Sequence, residues 1–356
     1  MKNGLVVMTT LPPTEGHKFL IDFAKSFMNR FDKGFLCVLV NGRSFEPLSS
    51  FDRSRALFMA TKDEDIFYST DTFIITDFND DTAPQKPSSE NDPDFWNYWK
   101  NLINMKFPNI NFDYVFASET YGIKLAETLG AKFIPCDINR EVMDVSGTKV
   151  RSDPLRYFDK MLPLIQSKYQ KVVTMFGPES VGKSTMTRMV FNGDPDVKVT
   201  RLPEWARGYL EAVGPEITDE KMMNIVYGQF ALQRTAYFKM KKTPFILQDT
   251  DLLSTLGYYR LWNGNPPPEC ERLFQLTKSD LYILMNDKIP FEADPLRYGG
   301  DRRESDNGFW RELLQEYKCN YYEVKNTLML PQTYEIEGVL RDLFYDSCKL
   351  PEFMRE

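Results

Sequence analysis

The sequence predicts an α/β protein made of two domains, each a doubly wound parallel sheet. Over residues 1–150, short apolar β-branched runs alternate with amphipathic stretches, and this alternation is typical of parallel strands joined by helices. A second series of such runs begins at Lys171 and leads directly into a glycine-rich loop. The length of 356 residues also exceeds what a single core of ordinary size fills.

In the first half, helices are expected over residues 16–31, 52–61 and 121–129, and the polar, proline-rich stretch 79–93 predicts a surface loop. Between them, five apolar runs predict strands: GLVVMTT, KGFLCVLVN, TFIITDF, FDYVFAS and AKFIPCD. In the second half, KVVTMF, TPFILQDTD and SDLYILMND predict further strands. The expected organisation is a domain over 1–155, a linking helix over 156–169 and a second domain over 170–356.

The composition excludes several classes of protein. The net charge is −7 without a long basic cluster, whereas nucleic-acid binding depends on many phosphate contacts. No apolar run approaches the roughly 18 residues that span a bilayer, and the N-terminal sequence lacks a secretory h-region. Five cysteines are scattered singly without a CxxC pair, which is typical of a reducing compartment. We therefore expect a cytoplasmic protein that binds neither nucleic acid nor membrane, while a homo-oligomer stays open.

The strongest motif is GPESVGKST at residues 177–185, which fits G-x-x-x-x-G-K-[ST] between an apolar strand and a helix. Gly177 and Gly182 let the backbone turn its N–H groups around phosphates, and Lys183 reaches the β- and γ-phosphates. Ser184 offers a hydroxyl to Mg²⁺. The motif predicts an ATP site with Mg²⁺, and four further loop residues are expected at the nucleotide: Glu179, Ser180, Val181 and Thr185.

Charged residues after the strands of the second half predict the acceptor side of this ATP site. Asp249 ends an apolar strand, where a carboxylate can hold the metal or accept a proton from an attacking hydroxyl. Glu204 and Arg207 form a charged pair at a helix start, with a surface ion pair as the alternative. An arginine-rich stretch resembles the lid of small-molecule kinases, and an ordinary charged loop is its alternative. Its arginines are Arg297, Arg302 and Arg303.

Two motifs of the first half concern the only histidine of the chain. His17 and Thr14 lie in T-E-G-H, which resembles the HxGH signature of nucleotidylyltransferases. Residues 145–151, VSGTKVR, resemble the I-S-x-T-x-x-R motif of the same enzymes. In such a site a phosphate attacks the α-phosphorus of ATP, and the protein supplies hydrogen-bond donors and cations rather than a general base. The predicted ATP contacts are Thr10, Thr14, His17, Ser146, Thr148 and Arg151, of which His17, Thr14 and Arg151 are the catalytic candidates.

Taken together, these motifs resemble the bifunctional NadR family, in which a nicotinamide mononucleotide adenylyltransferase precedes a ribosylnicotinamide kinase. The resemblance implies ATP, nicotinamide riboside, nicotinamide mononucleotide (NMN) and NAD as ligands. It implies catalytic roles for Lys183 and Asp249, and places Asp249 and Asp251 at the riboside hydroxyls and the metal. It also assigns contacts with the pyridine nucleotide, or with a phosphate in the case of the three residues that are not tryptophan, to five residues of the first half. These are Asn41, Arg43, Arg53, Trp96 and Trp99.

The chain departs from the family pattern in two respects. Pro203 occupies the position of a family tryptophan before E-x-x-R, although Trp205 is nearby. The sequence begins at the catalytic strand rather than at a helix-turn-helix domain, so we expect no DNA-binding role. Two alternatives to the two-step NAD synthesis remain at this point. One is the same ATP chemistry on another nucleoside and its phosphate, and the other is a nucleotide-sensing regulator.

Overall fold

A computed structural model describes residues 1–29, 34–62, 72–84, 86–89, 92–240, 242–292, 303 and 305–348. The chain divides into two compact units, the first over Met1–Lys168 and the second over Tyr169–Ser347. Each unit contains one five-stranded sheet, and every strand pair in both sheets is parallel. The predicted fold class is therefore confirmed.

The sheet of the first unit has the strand order β3-β2-β1-β4-β5. Its strands β1 to β5 are Gly4–Met8, Leu36–Gly42, Phe73–Asn79, Tyr114–Ala117 and Lys132–Pro135. The chain leaves β1 toward β2 on one side and later returns to β4 on the other side. This reversal opens a crevice beyond the carboxyl ends of β1 and β4, where ligands bind in open α/β sheets.

Helices connect these strands on both faces of the sheet. Helices α1 to α6 are Glu15–Met28, Ser50–Thr61, Pro93–Lys106, Tyr121–Leu129, Gly147–Ser152 and Pro163–Tyr169. The sequence analysis did not predict α3, although it carries a clear start signal. Asp92 caps it by accepting hydrogen bonds from two backbone N–H groups, and Pro93 is at the first helical position. Its apolar face joins the core that also contains Leu5 and Val115.

The connection between the two sheets differs from the predicted single helix over 156–169. Phe158–Lys160 form one 3-10 turn, and the α-helix begins only at Pro163. A proline disfavours helical backbone at the residue before it, which separates the two segments. Met161 also pairs with Thr14 in an isolated bridge, so this stretch is tied to the start of α1.

The sheet of the second unit has the order β10-β9-β6-β8-β7. Its strands β6 to β10 are Lys171–Phe176, Val199–Leu202, Phe245–Asp249, Leu281–Leu284 and Tyr321–Glu323. The three predicted strands are β6, β8 and β9, which form the buried centre of the sheet. The two strands that the sequence analysis missed, β7 and β10, are the short edge strands. Edge strands are exposed on one side and carry a weaker apolar pattern.

Seven helices of the second unit surround this sheet in the described chain: α7 to α13 are Lys183–Met189, Trp205–Val213, Asp219–Lys239, Leu252–Asn263, Pro268–Gln275, Asn307–Glu316 and Met329–Cys348. Trp310 is fully buried and packs edge-on against Phe176 of β6, which anchors α12 to the centre of the sheet. Because β6 is central, the loop that follows it opens at the carboxyl edge between β8 and β9. This is where the phosphate-loop sequence lies.

Candidate active sites

A large cleft of the first unit lies at the carboxyl ends of β1 and β4. The loop after β1 and the segment after β4 form two of its walls, as the sheet order predicts. Nine of the eleven residues predicted as ligand contacts of this half line the cleft: Thr10, Thr14, His17, Asn41, Trp96, Trp99, Ser146, Thr148 and Arg151. Fold topology thus brings together residues that are up to 141 positions apart in the sequence, from Thr10 to Arg151.

The contacts of His17 fix which ring nitrogen faces the cleft as a donor. The backbone N–H of Thr14 donates to Nδ1 of His17 at 3.1 Å, and the Thr14 hydroxyl lies 2.7 Å from the same nitrogen. Nδ1 therefore acts as an acceptor, which leaves the proton of the neutral ring on Nε2. Burial, together with the charges of Arg140 and Arg151, lowers the pKa of His17 to about 4. The ring is thus a neutral hydrogen-bond donor at physiological pH.

The second motif of this half lines the same cleft as His17. Ser146 caps α5 by accepting a hydrogen bond from the Lys149 N–H at 3.0 Å. Arg151 donates to the Thr148 hydroxyl at 3.0 Å and to the carbonyl of Leu11. These contacts hold the guanidinium at the β1 loop. The serine therefore serves as a helix cap, and the arginine points its charge into the cleft.

Several polar atoms of this cleft have no hydrogen-bond partner in the described part of the chain. They are the Thr10 hydroxyl, Oδ1 of Asn41 and the indole N–H groups of Trp96 and Trp99, all buried. Buried polar atoms without partners are rare in native proteins because they lose their hydration without compensation. Both tryptophans also pack in the core beneath the cleft. Their rings are therefore structural while their N–H groups remain available to a ligand.

Two arginines predicted to contact the pyridine nucleotide do not line the cleft. Arg53 is fully buried, where it pairs with Glu46 and donates to the carbonyls of Thr9 and Ser49. Its guanidinium makes these hydrogen bonds within the protein. Arg53 therefore supports the β1 loop and does not reach a ligand. Arg43 donates to the carbonyl of Ala83, outside the cleft. Both placements correct the expectation from the sequence.

The structure adds residues to this site that the sequence analysis missed. Arg140 lines the cleft, donates to the carbonyl of Val145 at 2.9 Å and pairs with Glu119. After burial, the positive charge of Arg140 is the next largest cause of the lowered pKa of His17. Arg140 belongs to no motif that the sequence analysis used. Its place in the site becomes visible only in the folded chain, where Arg140 and Arg151 both lie near His17.

The phosphate loop of the second unit has the conformation that its motif predicts. Gly177 and Gly182 have φ angles of 126° and 83°. These values lie in the left-handed region, which residues with a Cβ atom rarely adopt. Lys183 begins α7, is buried, and donates to the carbonyls of Gly177 and Pro178 across the loop. Val181 is fully buried, so only its backbone can meet a nucleotide. Ser184 and Thr185 follow, half-buried, in the first turn of the helix.

Arg303 fastens the loop to the neighbouring segment after β9. Its guanidinium donates to the carbonyls of Glu179 and Ser180 at 2.9 and 3.0 Å, and also to those of Asp287 and Ile289. The arginine therefore holds backbone where the sequence analysis expected a lid cation. The other two predicted lid arginines, Arg297 and Arg302, lie outside the described residues.

A second cleft adjoins this loop. Glu179, Lys183, Glu204 and Thr250 line its polar side, and Lys183 is the sole cation among the described lining residues. The remaining lining is largely apolar and aromatic, with residues that the sequence analysis did not select: Ala206, Leu210, Pro215, Ile217, Met222, Ile225, Gln229, Ser254, Thr255, Tyr258 and Trp262. Tyr258 and Trp262 stack on each other with centroids 4.9 Å apart. Such a cleft suits a flat ring joined to a polar group.

The two aspartates after β8 occupy different environments. Oδ1 of Asp249 is buried without a hydrogen-bond partner in the described chain, next to Thr250 in the cleft wall. Asp251 is fully buried instead, accepts from two backbone N–H groups at the start of α10 and from the Tyr282 hydroxyl at 2.7 Å. Burial raises the pKa of Asp251 to about 6. Asp251 is a helix cap outside the cleft, contrary to its predicted role at the riboside and metal.

Two other predicted residues flank the second cleft at the start of α8. Glu204 precedes the helix and lines the cleft, whereas Arg207 lies within the helix and is absent from the described lining.

The described residues contain no cluster of three or more potential metal ligands among His, Cys, Asp and Glu. Ser184 and the unpartnered Oδ1 of Asp249 nevertheless suit Mg²⁺ that is shared with nucleotide phosphates, because Mg²⁺ commonly takes only one or two protein ligands there. In the described chain, no helix combines the length and apolarity needed to cross a bilayer.

Comparisons with known proteins find relatives in sequence and in fold. A family profile described as an AAA domain matches residues 172–329. The trifunctional NAD biosynthesis/regulator protein NadR of Escherichia coli is 29% identical over 246 residues, which cover 65% of this chain and 58% of the relative. Its counterpart from Salmonella typhimurium is 28% identical over 246 residues, which again cover 65% of this chain and 58% of the relative.

Two solved NadR structures extend the likeness of fold to nearly the whole chain. One, in complex with NAD and AMP-PNP, aligns with a TM-score of 0.60 and 20% identity over 96% of this chain and 95% of its own. Another, in complex with NR, aligns with a TM-score of 0.58 and 18% identity over 96% of both chains. The chain is thus similar to NadR proteins in sequence over about two thirds of its length and in fold over nearly all of it. It spans 58% of the length of the curated relatives that it matches.

Proposed function

We propose that the chain is a bifunctional enzyme of NAD biosynthesis. In this proposal the second unit phosphorylates nicotinamide riboside with ATP to give NMN and ADP. The first unit then transfers the adenylyl group of a second ATP to NMN, which gives NAD and pyrophosphate. The observation that carries the proposal is the presence of two clefts, each with unpartnered buried polar atoms, in a chain homologous to NadR.

In the first unit, a phosphate oxygen of NMN attacks the α-phosphorus of ATP and pyrophosphate leaves. The neutral His17 ring donates from Nε2 to the phosphate on which charge develops, while Nδ1 is held by Thr14. Arg151 and Arg140 supply the positive charge that the pyrophosphate requires. The indole N–H groups of Trp96 and Trp99 and Oδ1 of Asn41 are the unpartnered groups that would meet the carboxamide and ribose of NMN.

In the second unit, the 5′-hydroxyl of the riboside attacks the γ-phosphorus of ATP. The backbone of residues 177–185 holds the phosphates, and Lys183 moves from the carbonyls that it now contacts to the β- and γ-phosphates. Ser184 and Asp249 would hold Mg²⁺, which neutralises phosphate charge when bound. Asp249, whose Oδ1 is buried without a partner in the described chain, would also accept the hydroxyl proton. The aromatic pair Tyr258 and Trp262 offers a face for the pyridinium ring.

The proposal is tested with the purified chain, ATP, Mg²⁺ and nicotinamide riboside, followed by chromatography over time. We expect ADP and NMN first, and then NAD and pyrophosphate. A parallel reaction that starts from NMN tests the first unit alone. Failure to form NMN from the riboside removes the kinase assignment, and failure to form NAD from NMN removes the adenylyltransferase assignment.

A further inference from the structure

Glu179 is a residue that a phosphate loop does not need for its work. The loop binds phosphate through backbone N–H groups and Lys183, so the third side chain of the motif can vary. A carboxylate at this position places negative charge close to the bound phosphates, which weakens their binding unless another group offsets the charge. The side chain lines the second cleft together with Glu204 and Thr250. Since a carboxylate repels phosphate, the acceptor is a better match for this side chain than the nucleotide.

The described residues around Glu179 give its carboxylate no hydrogen-bond partner. The residue is only 5% exposed, and both of its carboxylate oxygens are buried without a hydrogen-bond partner in the described chain. Withdrawing a carboxylate from water is costly unless its lone pairs receive donors. The fold holds this unsatisfied group in the wall of a cleft. A ligand that brings two donors would satisfy it.

A second unpartnered group on the same cleft defines the chemistry of that ligand. Gln229 of α9 is 2% exposed and lines the cleft. Its Oε1 accepts from the backbone N–H of Trp205 at 3.1 Å, whereas its Nε2 is buried without a partner in the part of the chain that is described. The cleft thus presents two acceptor oxygens and one amide donor to its ligand.

Vicinal hydroxyl groups match this set of atoms. Two neighbouring O–H groups can donate to the two oxygens of one carboxylate, and a hydroxyl oxygen can accept from an amide N–H. A cationic ring near Glu179 would offset its charge but would leave the lone pairs and the Gln229 donor unsatisfied. The atoms therefore favour a diol over a cation as the partner of Glu179.

We propose that Glu179 and Gln229 bind the 2′,3′-diol of the acceptor nucleoside and make the second unit selective for ribosides over deoxyribosides. This inference rests on the proposed kinase function and adds the residues that set its sugar specificity. It also separates Glu179 from the residues of the motif that bind ATP.

The test compares nicotinamide riboside with its 2′-deoxy analogue in the full chain. A site built to hydrogen-bond a hydroxyl rejects an analogue that lacks it by about ten-thousandfold in kcat/KM. We expect wild type to prefer the riboside by a factor of this order. In Glu179→Gln, kcat/KM should fall further for the riboside, which loses two hydrogen bonds, than for the deoxyriboside, which keeps only the 3′-hydroxyl, so that the preference shrinks at least tenfold while the KM for ATP stays unchanged. Glu211→Gln, which removes the same charge from an exposed position on α8, should keep the wild-type preference.

Stability measurements separate ligand binding from a structural role. Because Glu179→Gln removes a buried charge without a partner, the unliganded variant should melt at the same temperature as wild type or higher. An unchanged preference for ribosides in Glu179→Gln would overturn the inference, as would a lower melting temperature with weakened ATP binding. If wild type does not phosphorylate nicotinamide riboside, the proposed function fails separately. Stabilisation of the protein by uridine against 2′-deoxyuridine then tests the diol site, and equal stabilisation would overturn it.

Discussion

The two clefts, both proposed to bind ATP, present their hydrogen-bond donors in different ways. In the first unit, the donors are side chains gathered from the β1 loop, α1, α3 and α5. In the second unit, a single stretch of nine residues presents its backbone, and its glycines adopt the left-handed conformation that this requires. The first site depends on tertiary packing to place each side chain. The second depends mainly on local backbone geometry.

The supporting contacts follow the same division. In the first unit they orient side chains: Thr14 holds the His17 ring, and Leu11 and Thr148 hold Arg151. In the second unit Arg303 binds backbone carbonyls and holds the loop itself. Substitutions that test one site should therefore leave the other unaffected. Variants at each site test this independence.

The largest effect is expected for Lys183→Ala. Removing the sole described cation of the second cleft should lower the rate of riboside phosphorylation on the order of a thousandfold, with adenylyl transfer to NMN unchanged. Separate assays that start from the riboside and from NMN measure the two steps. Lys239→Ala, on an exposed position of α9, is the matched control. Equal loss of both steps would mean that the two clefts do not work independently.

Loss of the buried Arg53–Glu46 pair should destabilise the first unit in proportion to its burial. Arg53→Met leaves Glu46 unpaired in the interior, and such a change costs about 3–5 kcal/mol in the free energy of unfolding. Lys168→Ala breaks the more exposed pair with Asp52 and should cost about 1 kcal/mol or less. Urea unfolding of both variants provides the comparison. Equal costs would show that Arg53 is not structural and would restore it as a candidate ligand contact.

The phosphate loop is local in sequence, whereas the first site is assembled by tertiary folding. This difference explains why the sequence predicted more of the second site than of the first. The phosphate loop is contiguous, so its motif specified both its conformation and its place after β6. Arg53 and Asp251 were assigned to ligands through the resemblance to the NadR family. Each instead satisfies buried backbone groups, and this use becomes visible only when the neighbouring chain segments are known. Arg140, Tyr258 and Trp262 were missed for the same reason, since tertiary folding alone brings them to the clefts.

The fold was more predictable than the sites because hydrophobic periodicity reports burial directly. The central strands β6, β8 and β9 are buried on both faces and appear in the sequence as continuous apolar runs. The edge strand β10 has three half-buried residues and leaves no such run. The linking segment was predicted as one helix, although Pro163 already marked the point at which a new helix begins.

His17→Ala should reverse the pattern of Lys183→Ala. Loss of one donor to a phosphate that gains charge in the transition state typically costs about a hundredfold to a thousandfold. NAD formation from NMN should fall by this factor, while phosphorylation of the riboside stays constant. A coupled dehydrogenase assay for NAD measures the first quantity, and ADP release measures the second. Normal NAD formation in a folded His17→Ala protein would remove the assignment of the first cleft.

The smallest effect concerns acidity and again separates the two units, because His17 is the only histidine of the chain. In the folded protein its pKa is about 4, whereas an exposed histidine titrates near 6.5. Between these values the unfolded chain binds a proton that the folded chain does not, so the first unit loses stability as the pH falls. The loss relative to pH 7 should reach about 2 kcal/mol at pH 5. His17→Gln cannot titrate there, so the variant should become more stable relative to wild type by that amount between pH 7 and pH 5. Calorimetric unfolding of both proteins over this range measures the difference, which should appear in the transition of the first unit and not in that of the second. A difference that stays constant with pH would show that His17 is protonated as readily in the cleft as in water. The neutral-donor role of its Nε2 would then have to be abandoned.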